Sequence, residues 1–233
     1  LARLEWLVSA EGELGFLGTA AAMDGMRALF GEHEAWTTQW LLPLTVWTSP
    51  YAPAAWSVLL HGQIPQPNLY AALKAGLLEA GSHSELDRSI DSVAQWMVAP
   101  LLWAQVSTEP VPEITSVEVR RALARSAEEV RSSAAYWLCN AIEKMDGNAA
   151  DIWRQRIGPL FKQIWPLDPA SRSAGASLHL VRLALHTAAA FPEAADAIAP
   201  ALGPLDTWEI ESYLGRDEDA KAFYEAAPGA VLT

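Results

Sequence analysis

From Val119 to Met145 the apolar residues Val119, Leu123, Ala127, Val130, Ala134, Leu138, Ala141 and Met145 step by 4, 4, 3, 4, 4, 3 and 4. Steps averaging close to 3.6 keep one face of an α-helix inward, whereas a strand would alternate every second residue. Thr115-Ser116-Val117-Glu118 stands ahead of this run in capping-box order, threonine with glutamate three residues on. Gly147 follows as a stop, because glycine takes left-handed backbone at little cost. Read as one unbroken helix, about 30 residues make a rod of about 45 Å.

The same period recurs along the chain. Ser82 with Glu85 reads as a second capping box, followed by the stripe Leu86, Ile90, Val93, Met97 and Leu101, with Pro100 expected to kink it. Asp168-Pro169 reads as a third helix start, with the stripe Ala174, Leu178, Val181, Leu185 and Ala188, ending before Pro192. Shorter helices are expected over 20–30, 34–48, 52–61, 67–80, 149–165, 193–202, 206–214 and 217–226. No period-two run and no hairpin dipeptide between β-branched stretches suggests a strand.

Self-comparison shows a weak repeat. Trp40-Leu41-Leu42-Pro43-Leu44 with Trp47 resembles Trp96 to Leu101 with Trp103, Ile157-Gly158-Pro159-Leu160 with Trp165, and Ile198-Ala199-Pro200-Ala201. The internal prolines 43, 100, 159 and 200 are each followed by another, at 50, 110, 166 and 204. Amphipathic helices bent at a proline and stacked with a constant rotation make a curved array. The expected fold is therefore all-α, an irregular right-handed α-solenoid of ten to twelve helices in stacked pairs. It would form one helical-repeat domain over 1–233, with Leu1 and the apolar end at Pro228 to Thr233 read as cuts in a longer chain.

These residues resemble bacterial helical-repeat proteins of the HEAT-like kind. The stretches Ile157 to Phe161, Trp165-Pro166-Leu167-Asp168 and Phe191-Pro192-Glu193-Ala194 also look like the helical C-terminal arms of large bacterial proteins, some with sirtuin-like or nucleotide-hydrolase domains and linked to anti-phage defence. The resemblance covers the last third of the chain and contains no catalytic motif. It implies a sensing or scaffolding arm.

Composition narrows the function classes. With 51% hydrophobic and 19% charged residues, the chain can bury a substantial core. No eighteen-residue apolar run suggests a membrane span, and the first residues lack the order of a signal peptide. Cys139, the only cysteine, excludes an internal disulfide and a cysteine zinc site and fits a reducing cytoplasm, and no metal is expected. A net charge of −12 argues against general binding to nucleic acid or to anionic membranes. The expected partner is a protein, or another domain of the same chain.

Candidate binding residues fall in two clusters. His179, Arg182 and His186 share a helical face at i, i+3 and i+7, suited to an anion or, through the histidines, a metal, although seven residues exceed the spacing of the helical zinc motif. Arg121 and Arg125 belong to the densest basic run, with Arg120 and Arg131; Glu118, Glu128 and Glu129 are interleaved, and pairing with Glu128 and Glu129 is expected. The eleven tryptophans read mainly as core fillers, a minority as groove anchors. Asp87 and Asp91, four apart, are the acid pair of an alternative reading as an all-helical enzyme. Nucleophile elbow, P-loop and dinucleotide patterns are absent, so no catalytic residue and no cofactor is expected. A non-catalytic interaction module, an enzyme with an acidic or histidine-lined pocket, and a nucleic-acid-binding repeat are the three readings, and a shallow groove favours the first.

Overall fold

Proline begins elements in this chain far more often than it bends them. In the computed structural model, which describes residues 1–205, Pro53, Pro67, Pro159 and Pro192 each occupy one of the first two positions of an α-helix. Pro43, Pro169 and Pro200 do the same in short 3-10 turns. At a true helix start the missing N–H costs little, because first-turn N–H groups have no intrahelical partner; Pro159 differs, since the π turn before it runs straight into α11. Of the four prolines expected to bend repeated helices, Pro100 alone stands well inside an α-helix. The described residues are helical throughout, with no strand among them. The helices expected over 206–214 and 217–226, and Trp208, lie outside the described residues, as do the side chains of Asp87 and Arg88.

The chain divides into two compact units, Leu1–Ile114 and Thr115–Thr233. In the first, α1 (Ala2–Val8), α2 (Gly12–Asp24), α3 (Met26–Glu32) and α4 (Glu34–Trp40) lead to α5 (Ala52–His61), α6 (Pro67–Ala80) and α7 (Ile90–Trp103). Helices α5 and α6 start and stop where the sequence places them. Their core holds Trp56, Tyr70, Leu73, Leu77, Trp96 and Met97, all essentially without solvent contact. Each such side chain contributes about 1.5–3 kcal/mol by leaving water. Trp56 Nε1 donates to the Thr45 carbonyl at 2.8 Å, and the Tyr70 hydroxyl to the Trp96 carbonyl at 2.7 Å.

Several expectations fail in this unit, among them the helix expected over 34–48, which ends at Trp40 ahead of a 3-10 turn at Leu42–Thr45. Ser82 is not a helix cap: its hydroxyl donates to the Glu79 carbonyl, closing the turn after α6, and a 3-10 segment (Ser84–Ser89) precedes α7. The inward stripe of α7 runs through Leu102, which is buried, rather than Leu101, which is half-buried. The N-terminal region is helical from Ala2, ahead of the expected start at 20: α1 is only seven residues long, and the many small residues of α2 give little amphipathic signal.

The second unit contains α8 (Ser116–Arg125), α9 (Glu128–Lys144), α10 (Ala149–Ile152), α11 (Gly158–Ile164), α12 (Ala174–Leu185) and α13 (Phe191–Ile198). Helix α8 packs on α11 and α9 packs on α12, so helices three elements apart meet. The rod expected over 115–145 is broken between α8 and α9. Ser126 and Ala127 take extended backbone, the Ser126 hydroxyl donates to the Ala122 carbonyl at 2.8 Å, and buried Arg131 donates to the carbonyls of Ser126 and Leu123. Unpaired carbonyls at a helix end need such a donor. The capping box at Thr115 is present as read, with Glu118 accepting from the Thr115 N–H at 2.8 Å.

Helix α12 begins at Ala174, after a 3-10 turn at Pro169–Ser171, and Pro192 starts α13 rather than ending α12. Its buried face is Ala176, Ser177, Leu180, Leu183 and Ala184. Leu178, Val181 and Leu185, the expected inward stripe, are half-buried: two apolar stripes coexist on this helix and the more alanine-rich one packs. Between α10 and α11 a π turn (Trp153–Ile157) leads into Pro159. The Gly158 N–H reaches back five residues to the Trp153 carbonyl, widening the helix just where proline would collide with the preceding turn. A Cβ on residue 158 would lie 2.9 Å from that carbonyl and 3.0 Å from the Trp153 ring, so the turn requires glycine.

Candidate functional site

Helices α9 and α12 pack along apolar faces that carry Ala134, Ala135 and Leu138 on one and Leu180, Leu183 and Ala184 on the other, all buried. At the border of this seam the two helices bring four polar side chains together. Cys139 and Glu143 lie four residues apart and therefore on one face of α9; Arg182 and His186 come from the end of α12. Arg182 Nη2 donates to Glu143 Oε1 at 3.0 Å, and Arg182 Nε to His186 Nε2 at 3.3 Å. The Cys139 thiol donates to Glu143 Oε1 at 3.6 Å, and His186 Nε2 lies 3.6 Å from the same oxygen. Cys139 is buried, His186 is 12% exposed at its side chain and Glu143 and Arg182 are each 29% exposed, so the cluster opens to solvent on its acidic side.

The expected face of His179, Arg182 and His186 is thus split. Seven helical residues separate the histidines by roughly 10 Å, and His179 packs edge-to-face against Tyr136, ring centres 5.7 Å apart, one stretch further up the helix. Cys139 and Glu143 were missed as partners of His186. Their i, i+4 spacing was visible in the sequence, but nothing local shows that α12 lies against α9.

The basic run divides in the same way. Arg120 reaches across to the end of α11, donating from Nε to the Trp165 carbonyl at 3.1 Å and from Nη2 to that of Lys162 at 3.2 Å, while Arg131 closes α8 from the inside. Burial holds the Arg131 guanidinium below its ordinary basicity, against the opposing pull of Glu128 and Glu129. Arg121 and Arg125 remain exposed, Arg125 folding back to the Arg121 carbonyl at 3.2 Å. The carboxylate of Glu128, expected beside them, accepts from the Gly175 N–H at the start of α12 at 3.0 Å. Two of the four arginines are therefore helix-end donors and do not form part of a surface stripe. Asp87 belongs to the 3-10 segment and Asp91 to the first turn of α7, with non-helical backbone at Ser89 between them, so one helix does not carry both.

In the first unit, the end of α7 and the segments flanking it form an open groove of about 350 Å³. Its walls include Pro65 and Pro67 at the start of α6, Trp103 at the end of α7, Val106 just after it, and Pro110 and Pro112 beyond. Trp103 is 41% exposed. Glu109 also lines the groove, in a turn where its N–H donates to the Ser107 hydroxyl at 3.0 Å. Trp56, Trp96, Trp153 and Trp165 are buried fillers, and Trp103 and Trp6 are exposed.

No family model, curated protein or solved structure matches this chain.

Among the described residues no helix is long and apolar enough to cross a membrane.

Proposed function

We propose that the chain is a non-catalytic helical interaction module of a larger bacterial cytoplasmic protein, and that it binds an extended segment of a protein partner, or of another domain of its own chain, in the groove beside Trp103. The observation that carries this reading is the exposure of the Trp103 ring in a groove walled by four prolines. A proline or tryptophan face offers flat apolar area that loses little conformational freedom on binding, which suits a proline-containing segment in polyproline II conformation. With Glu109 in the lining and a net charge of −12, a segment with lysine or arginine flanks is favoured.

With α10, the π turn and α11 counted as one bent helix, α8 and α9 each pack on the second helix after them, a pattern of stacked helix pairs that supports a HEAT-like repeat. Exposed Trp6, Phe16 and Leu17 on α1 and α2 add a further apolar surface of the kind found at interaction sites.

Isothermal titration with a Pro-x-x-Pro peptide flanked by lysines tests the reading. Binding should weaken roughly tenfold or more in Trp103→Ala, as for an interface anchor, and should weaken as salt rises. Absence of binding, or equal affinity in Trp103→Ala, overturns it.

A further inference from the structure

We propose that Cys139, Glu143 and His186 form a site for one zinc-class divalent ion, with the Arg182 guanidinium as the cation that competes for it. This site is separate from the Trp103 groove and does not depend on it. The three donor atoms lie within 4.8 Å of one another on two packed helices. Tetrahedral zinc, at about 2.3 Å from sulfur and about 2.0–2.1 Å from nitrogen and oxygen, places its sulfur and oxygen ligands about 3.5 Å apart and its nitrogen and oxygen ligands about 3.3 Å apart. Here the Sγ–Oε1 and Nε2–Oε1 separations are both 3.6 Å. Two of the three edges between ligand atoms are thus close to the tetrahedral length, and the third, sulfur to nitrogen, lies within 4.8 Å.

His186 Nε2 accepts from Arg182 Nε, so the lone pair an ion would use is held by Arg182 until that side chain turns away. Glu143 is an acceptor toward both the thiol and the guanidinium. A thiolate, an imidazole and one carboxylate favour zinc over magnesium or calcium, which prefer oxygen alone. Binding would release the Cys139 proton to solvent and turn Arg182, half-buried at the rim, away from Glu143. Three protein ligands leave the fourth position to water.

Cobalt(II) titration of the full chain, with zinc as competitor, tests the site. We expect one equivalent of cobalt, a thiolate-to-cobalt charge-transfer band, and displacement by zinc. Cys139→Ser should abolish the band and weaken binding roughly tenfold or more, the scale on which metal-site changes act, with circular dichroism confirming that the variant folds. Arg182→Met, which supplies no ligand atom but removes the cation hydrogen-bonded to Glu143 and His186, should tighten binding severalfold. A missing band, or equal affinity in Cys139→Ser, overturns the site; unchanged or weaker binding in Arg182→Met overturns the role given to Arg182.

Discussion

Arg182, near the end of α12, donates to the Glu143 carboxylate of α9 at 3.0 Å across two helices that also bury an apolar seam. Both side chains are 29% exposed, so solvent screens the pair. Arg182→Met should therefore cost about 1 kcal/mol or less, whereas Leu183→Ala on the buried face should cost about 2–5 kcal/mol. Urea denaturation of the two variants compares these directly; a larger loss from Arg182→Met would mean that charge and not packing holds α9 to α12.

Arg131 is the opposite case. Its guanidinium is buried and closes the end of α8 through the Leu123 and Ser126 carbonyls. Arg131→Ala should cost about 2–3 kcal/mol, because hydrogen bonds to a charged group are lost and buried carbonyls are left unpaired. Both bonds come from the one nitrogen Nη1, so Arg131→Lys, whose ammonium can also donate twice, should restore part of the loss. Thermal unfolding with both variants measures the difference, and no rescue by lysine would contradict closure of α8 through a single nitrogen.

At the π turn, Gly158→Ala should destabilise by about 1–3 kcal/mol, since the new methyl meets the Trp153 carbonyl and ring at 2.9 and 3.0 Å. An unchanged denaturation midpoint would show that the turn relaxes freely.

The helix positions were largely legible in the sequence, and the reasons for the failures are specific. Helices α5 and α6 match because Pro53 and Pro67 fix their starts and the apolar period is unambiguous. The 115–145 rod failed because Ala127 fits both an apolar stripe and a helix start; the acids Glu128 and Glu129 directly after it were the local sign that a new helix begins. On α12, Leu178 and Leu180 each head an apolar stripe, and only the neighbouring helix decides which one packs. The Cys139, Glu143 and His186 cluster joins residues from helices whose contact no local pattern encodes, and the Trp103 groove joins two proline-bearing segments to the end of α7 in the same way. In α7 the buried position is Leu102, so Leu102→Asp should abolish cooperative unfolding of the first unit, while Leu101→Asp should leave a transition.

Glu193 supplies a pH test. Arg154 grips its carboxylate with three hydrogen bonds of 2.7–3.1 Å, and these hold Glu193 below the usual carboxylate range. A carboxyl depressed by folding stabilises the native state above its unfolded titration point, and that contribution is lost as pH falls through the depressed native one. Carbon-detected NMR should find Glu193 titrating below the other exposed glutamates and returning toward them in Arg154→Gln; no movement would contradict the ion pair.

The most direct measurement of the proposed function is fluorine NMR on chain carrying 5-fluorotryptophan, with the Trp103 resonance assigned from Trp103→Phe. Adding the lysine-flanked proline peptide should move the Trp103 signal saturably while the buried Trp56, Trp96 and Trp165 signals stay in place. A stationary Trp103 signal, or all signals moving together, would contradict binding in the groove.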